Sequence, residues 1–525
     1  MEKAKVALFS FVCIIKNWFY KNPQENFSLI FILFIGGFLR LYRISEYMTF
    51  LGDEGRDAII VRNLLVNFDL ILIGPGTSIG NMYLGPLYYY LIAPFLLIFN
   101  FSPVGPSVMV ALFGVVTAFL IWLFVKEVFP CKKGQTNYVA LLAAFLYSTS
   151  PIVIIYNRSS WNPNIMPFFS LLCVYSIWKI YKNLDFKWLI VLGISFAFVL
   201  QSHYLGLLLL PTILLYFLFT FFKAKKDKFK LKLFLKNSII GFLIFAFLMS
   251  PLFIFDARHG WRNFSAIATF FSNRQETVSA KPWNALPKFW PLFENLNSRL
   301  IAATDKTGGL IVSWFLVLSG VILLIKSKKK FILESPYLLV CLWLIFAFIG
   351  LGNYKQEIYD HYFGFLFTAP FILFSMLVFD LKKVLPISFF VSAILIFYIF
   401  YLHFSQTPLK YHPNKQLQRS MEVANKIISE SQGKPFNFAV IAERNYEGAY
   451  QYFLEKENSN LLKIDPLRLE YTIAKQLFVV CELPKDKCNP TTNAKAEIAN
   501  FGWSKVESEW DVSGVTLYKL VHYNN

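Results

Sequence analysis

The sequence predicts an α-helical polytopic membrane protein with a small C-terminal α/β extracytoplasmic domain. Three observations predict it. Of 525 residues, 56% are hydrophobic and 18% aromatic, more apolar side chain than a soluble chain of this length can cover with polar surface. Apolar runs long enough to cross a bilayer recur from residue 27 to residue 404. From residue 405 onward charge rises and apolar residues come in short alternating stretches, the pattern of strands. The net charge of +19 does not point to nucleic acid, because most of the lysines sit in short connectors between apolar runs, as the positive-inside rule requires.

Taken in order, residues 1–26 carry Lys3, Lys5, Lys16 and Lys21 and read as a cytoplasmic segment. Residues 5–20 lack the small-residue cleavage site of a signal peptide. Residues 27–404 form the transmembrane domain, with a first span at 27–42 and a first external loop at 44–81. Further spans read at 105–126, 138–155, 164–181, 188–203, 205–222, 234–255, 308–326, 336–352, 362–380 and 384–404. The basic connectors Lys132-Lys133, Lys179/Lys182/Lys187, Lys223–Lys236, Lys326–Lys330 and Lys382-Lys383 all fall on one side if these spans are real. An N-terminus inside and a C-terminus outside need an odd number of crossings, so the apolar run 82–99 is expected to be interfacial or re-entrant, or to join a further crossing. Residues 405–525 form the external domain, with strands at 436–441, 476–480 and 515–520 and helices at 421–431 and 446–455. Of six cysteines, Cys13, Cys131, Cys173 and Cys341 follow no metal-ligand pattern. Cys481 and Cys488 bracket a short charged turn, a spacing open both to a disulfide outside the cytoplasm and to two free thiols.

The polar chemistry gathers first in Met48-Thr-Phe-Leu-Gly-Asp-Glu-Gly-Arg-Asp57. Asp53, Glu54 and Arg56 sit just beyond the first span, where ionised groups are expensive to desolvate and therefore mark function. Residues 53–67 read as an amphipathic helix along the membrane surface, with Ala58, Ile59, Val61, Leu64 and Leu65 near one face. Acidic residues at its start also suit the helix dipole, a purely structural explanation.

Four more polar clusters fall on the same predicted side: Tyr156, Asn157, Arg158, Trp161 and Asn162; Gln201-Ser-His-Tyr204; Arg258-His259; and Tyr359-Asp-His-Tyr362. Arginine suits phosphate through its two-pronged donor geometry. Tyrosine and tryptophan offer flat faces to sugar rings, though they also belong at any membrane interface. His203, His259 and His361 come from separate loops, a spacing that gives no support to a metal. No glycine-rich phosphate loop precedes a helix, so no nucleotide or other cofactor is expected and the donor arrives already activated in the membrane.

With these motifs in their order, the chain resembles the GT-C superfamily of integral membrane glycosyltransferases. It is most similar to the branch of protein O-mannosyltransferases and lipid A aminoarabinose transferases, which includes the dolichyl-phosphate-mannose-protein mannosyltransferase-like proteins. Asp53-Glu-Gly-Arg56 matches that branch's Asp-Glu-x-Arg pattern. Gly85-Pro-Leu-Tyr88, Ser150-Pro with Tyr156 and Arg158, Gln201-Ser-His203, Ser250-Pro with Arg258-His259, and His361-Tyr362 follow in sequence. The resemblance implies a GT-C type membrane domain of about 11–13 transmembrane helices. It also implies an inverting transfer from a polyprenyl-phosphate sugar to an extracytoplasmic acceptor hydroxyl (lipid, glycan or protein), at the plasma (inner) membrane. Asp53 would be the base, with Glu54 beside it. Arg56, Arg158, Arg258, His259 and His361 would hold the donor phosphate, and Tyr88, Tyr156, His203 and Tyr362 would contact substrate. Relatives often carry a basic residue where Gly85 stands. A transporter or flippase for an anionic lipid-linked substrate would line its path with the same charges, but inverted internal repeats are not evident. A non-catalytic assembly protein would not need the Asp-Glu-x-Arg loop.

Overall fold

The computed structural model describes residues 22–78, 82–132, 134–273, 276–279, 281–326 and 335–523. Lys3, Lys5, Cys13, Lys16, Lys21, Lys133 and the lysines of 327–330 lie outside these residues. Among the described residues, seven helices are long and apolar enough to cross a membrane: Pro23–Leu41, Val104–Val128, Tyr204–Ala224, Lys228–Arg258, Lys306–Lys326, Pro336–Asn353 and Ser388–Lys410. Asp360–Leu366 and Ala369–Val384, bent by 55°, make an eighth if taken together. The other three expected spans are also helical, as Tyr138–Thr149 with Pro151–Tyr156, Met166–Asn183 and Trp188–Ser202. The chain is thus an integral, multi-pass helical protein. The run at 82–99 folds as Leu87–Ile98, whose 12 residues reach about 18 Å, short of a hydrocarbon core of about 30 Å. Large apolar side chains stay exposed along the outer helices, among them Phe34, Phe242, Phe247 and Phe397, as expected of surfaces wetted by lipid.

One helix break near the external end shows how sequence shapes this bundle. Pro151 has no N–H, so the helix entering from Tyr138 ends at Thr149 and leaves the carbonyls of Tyr147 and Ser148 without helical donors. Arg40, fully buried at the end of the first span, reaches both: its Nη1 donates to Ser148 O at 2.9 Å and its Nη2 to Tyr147 O at 3.4 Å. Its Nε donates to Asn157 Oδ1 at 3.0 Å, which ties the first span to the loop that carries Arg158. A buried arginine here satisfies carbonyls that a broken helix would otherwise strand in a low dielectric.

The C-terminal domain is a four-stranded sheet in the order β1-β2-β4-β3, with β1 Asn437–Ile441, β2 Gln476–Cys481, β3 Ser504–Val512 and β4 Val515–His522. β1 and β2 are parallel; β4 runs antiparallel to both β2 and β3. β3 escapes the sequence reading because it is an edge strand with a half-exposed, charge-rich pattern, Ser504-Lys-Val-Glu-Ser-Glu-Trp-Asp-Val512. Cys481 and Cys488 form a disulfide that closes the loop after β2.

One face of the sheet packs on Gln416–Ser431 and Gly448–Lys456 in a core that also takes in Ile44, Met48, Phe50 and Ala58 from the segment after the first span. The membrane domain therefore supplies part of the C-terminal domain's own core. Phe50 meets Phe453 and Tyr452 edge-on at 5.8 and 6.2 Å, and Phe50 N donates to Gln416 Oε1 at 3.0 Å. The acidic helix, Gly52–Asn67, thus lies between the membrane domain and the C-terminal domain, a correction to the expected helix lying free on the membrane surface. Its buried residues are Gly52, Glu54, Gly55, Asp57, Ala58 and Val61, and Leu64 and Leu65 of the expected apolar face are half-buried against the membrane-domain core. The close approach needs glycine: a Cβ on Gly55 would stand 2.2 Å from Gly448 C, and one on Gly448 would stand 2.2 Å from Gly52 O. Gly55→Val should therefore unseat the C-terminal domain, destabilising it by about 1–3 kcal/mol as overpacked contacts do. Thermal unfolding in detergent and tryptic cleavage at Lys410 and Lys415 would register it; unchanged values for both would show that the helices are not wedged.

Candidate active site

The Gly52–Asn67 helix begins with three carboxylates in one turn and a half, and their surroundings separate their roles. Glu54 caps its own helix: Leu51 N donates to Glu54 Oε2 at 3.0 Å, and the side chain is buried. Asp57, 1% exposed, receives Arg56 Nε at 2.9 Å, Arg56 Nη2 at 2.7 Å and Tyr89 Oη at 2.9 Å, all on Oδ1. Asp53 is 41% exposed. Its Oδ1 accepts from Arg56 Nη1 at 2.8 Å and from Tyr446 Oη at 2.7 Å, while no donor among the described residues reaches its Oδ2. Of the three acids, Asp53 alone offers a free carboxylate oxygen to a substrate. Arg56 spans Asp53 and Asp57 and so fixes the first against the second.

The second wall is aromatic. His361 packs against Trp161 at 4.6 Å, Tyr362 at 4.6 Å and His203 at 5.6 Å between ring centroids, and Tyr359 stacks on it at 5.9 Å. Asp53 lies within electrostatic reach of His361, which joins this wall to the acidic helix. Asp360, beside it, is paired with Arg299, whose Nε donates to Oδ1 at 2.7 Å. Arg444, exposed on the C-terminal domain, lies within electrostatic reach of Tyr359.

The remaining expected site residues are dispersed. Tyr88 is buried beneath the acidic helix with its hydroxyl 2.8 Å from Ser160 Oγ, and Tyr362 and His203 are buried in the aromatic wall. Tyr156 is half-buried, its ring edge-on to Phe367 at 5.8 Å. Arg158 is buried under Tyr47, its guanidinium 4.6 Å from that ring, and donates to Tyr42 O. Burial brings it down to about 10, and its Nε and Nη1 have no partner among the described residues. Arg258 and His259 are exposed at the end of the Lys228–Arg258 helix; His259 stacks on Phe255 at 4.0 Å, and among the described residues no hydrogen bond or ion pair joins either one to Asp53. The missing basic residue at Gly85 also has a structural reason. A Cβ there would stand 2.1 Å from Gln201 Oε1, so Gln201, which accepts from Leu87 N at 3.2 Å, fills that space. Among the described residues, no group of three or more His, Cys, Asp and Glu is placed to hold a metal ion. Asp57, Tyr89, Asn445 and Tyr446 were not singled out by sequence. Asp57 continues the acidic motif and was there to be read, whereas Tyr446 lies 393 residues from Asp53 with no motif around it.

The overall fold is similar to the GT-C fold of solved integral membrane glycosyltransferases. Residues 84–252 match the family model described as dolichyl-phosphate-mannose-protein mannosyltransferase. Among solved structures, ArnT from Cupriavidus metallidurans bound to undecaprenyl phosphate aligns over 94% of this chain and 97% of its own, at 11% identity and a TM-score of 0.58. The same protein in its apo state covers 99% of this chain and 98% of its own, at 12% identity and a TM-score of 0.57. The archaeal oligosaccharyltransferase AglB from Archaeoglobus fulgidus, in complex with an inhibitory peptide and a dolichol-phosphate, covers 90% of this chain and 71% of its own, at 13% identity and a TM-score of 0.54. No curated protein matches the sequence.

The buried acids make stability depend on pH. Burial raises Glu54 from its ordinary 4.5 up to about 7, against the lowering effect of its backbone hydrogen bonds. Burial likewise raises Asp57 from 3.8 to about 6, against the opposing pull of Arg56. The folded protein thus binds more protons than the unfolded chain, and its stability falls as pH rises from the unfolded values through about 6 and 7. Glu54→Gln, which keeps an acceptor for Leu51 N, should flatten the decline in melting temperature between about pH 5 and about pH 8. An equally steep decline in the variant would remove Glu54 as its source.

Proposed function

We propose that this chain transfers a sugar from a polyprenyl-phosphate carrier to an extracytoplasmic acceptor hydroxyl, with inversion at the anomeric carbon. The observation that carries the reading is Asp53, an accessible carboxylate at a membrane-domain surface, with one oxygen held by Arg56 and Tyr446 and the other open. In the proposed step Asp53 Oδ2 takes the proton of the acceptor hydroxyl while that oxygen forms its bond to the anomeric carbon. The bond from that carbon to the phosphate oxygen breaks on the opposite face, and the polyprenyl phosphate leaves with the electron pair. A base within hydrogen-bond reach and stabilisation of the leaving charge are what such a displacement requires.

Arg56 and His361 lie on the walls of this site and are proposed to meet the phosphate. Arg158, buried under Tyr47, and Arg258 with His259, at a separate helix end, contribute at most at a distance. Tyr156 and the aromatic wall of His203 and Tyr362, with Tyr88 behind the acidic helix, are proposed to shape the sugar pocket. The solved relatives of this fold bind undecaprenyl phosphate or dolichol-phosphate in the complexes named above, which supports a lipid-phosphate donor. The Cys481–Cys488 disulfide supports an extracytoplasmic position for the C-terminal domain at the plasma membrane, and hence for the site it covers.

Purified protein in lipid should release labelled sugar from at least one of the synthetic polyprenyl phosphates of mannose, glucose, galactose or aminoarabinose. Asp53→Asn should lower that turnover by about a thousandfold or more while still binding donor, as loss of a base does. Equal turnover by the variant would remove Asp53 as the base, and movement of intact donor across the bilayer without transfer would favour a flippase. The step uses no metal, so turnover should be unchanged by a chelator; loss with EDTA and recovery with a divalent cation would overturn that part.

A further inference from the structure

We propose that Tyr446, carried by the C-terminal domain, is a positioning residue for Asp53, so that the site is complete only when that domain is docked. The inference rests on the reading of Asp53 as the base and extends it to a domain whose sequence carries no recognisable motif.

The loop from Ala442 to Glu447 leaves the C-terminal end of β1, beside the C-terminal end of its parallel neighbour β2. Loops at that end of parallel strands are where α/β folds place functional groups. The loop is braced from within its own domain. Asn445 Nδ2 donates to Glu482 Oε1 at 2.7 Å, and Tyr450 Oη donates to the same oxygen at 2.6 Å. Asn445 Oδ1 accepts from Tyr446 N at 2.9 Å and, across the domain boundary, from Gly52 N at 2.9 Å. Gly52 N is one of the helix-end donors that no residue within the helix satisfies, so the C-terminal domain caps the catalytic helix.

Tyr446 then lies across Gly52, where a Cβ would stand 2.4 Å from its ring, and half-buried it reaches Asp53 Oδ1 at 2.7 Å. Arg56 Nη1 reaches the same hydroxyl at 3.2 Å. Two donors on Oδ1, one from each domain, set the rotation of the carboxylate and leave Oδ2 open. Neither the cap on Gly52 nor the hydroxyl on Asp53 survives if the C-terminal domain moves away. A merely architectural contact would need the ring and the glycines but not the hydroxyl.

Tyr446→Phe removes that hydroxyl and keeps the ring, so docking should persist, with unchanged tryptic cleavage at Lys410 and Lys415. Two readouts follow on full-length protein in lipid. With whichever polyprenyl-phosphate sugar of the panel above wild type consumes, kcat should fall by about ten- to a hundredfold with little change in donor KM, the size expected for one hydrogen bond to a charged group. Carbodiimide labelling of Asp53, followed by mass spectrometry, should speed up several-fold in Tyr446→Phe, with labelling of Glu430 as an unchanged control. Wild-type kcat together with wild-type labelling in Tyr446→Phe would overturn the proposal. If wild type consumes no donor, the glycosyltransferase reading fails on its own, and the labelling rates still decide whether Tyr446 positions Asp53.

Discussion

Arg56 clamped between Asp53 and Asp57 is the interaction on which the junction of the membrane and C-terminal domains depends. A guanidinium with carboxylates on two sides can hold both only if all three groups are fixed by other elements. Asp57 is anchored by burial and by Tyr89 Oη from the Leu87–Ile98 helix. Asp53 is anchored by Tyr446 Oη from the C-terminal domain. The clamp therefore ties a short apolar helix of the membrane domain, the acidic helix and the soluble domain into one unit. Coupled charges of this kind are strong where water is excluded on one side and weak where it is not, and here the gradient runs from buried Asp57 to open Asp53.

That gradient gives adjacent carboxylates different jobs. Glu54 and Asp57 are held in burial that favours their neutral forms, and each is engaged in holding the backbone or the clamp. Asp53 keeps a free oxygen and solvent access. An acidic cluster in which only one member can meet a substrate is the arrangement a single proton acceptor needs, and it follows from where the helix is covered rather than from the residue types. The fold places the membrane domain on one side of this helix and the C-terminal domain on the other.

The aromatic wall shows the same division between residue type and placement. His203, His361, Trp161 and Tyr362 come from three separate segments and converge by packing. Arg158, equally conspicuous in the sequence, is instead turned under Tyr47, where it braces the first loop. Gln201, conspicuous in the sequence only as part of a motif, fills the space beside Gly85.

The sequence by itself determined the class of this protein. Apolar runs, basic connectors and the change of pattern near residue 405 are local properties, and a bilayer forces such runs into helices because no other structure satisfies the backbone there. It also determined the acidic stretch from Asp53 to Asp57 and the strands β1, β2 and β4, which are short apolar runs set in a polar segment. Tertiary structure alone decided which acid stays open to solvent, which arginine is buried and what covers the acidic helix. Beside the expected apolar face, which packs on the cores, the helix has a glycine-lined face that the sequence does not announce, because Gly448 and Tyr446, nearly four hundred residues away, pack there. Contacts of that range leave no periodicity in either segment. A glycine that permits close approach reads in the sequence only as an absent side chain, and its meaning comes from the backbone that occupies the space.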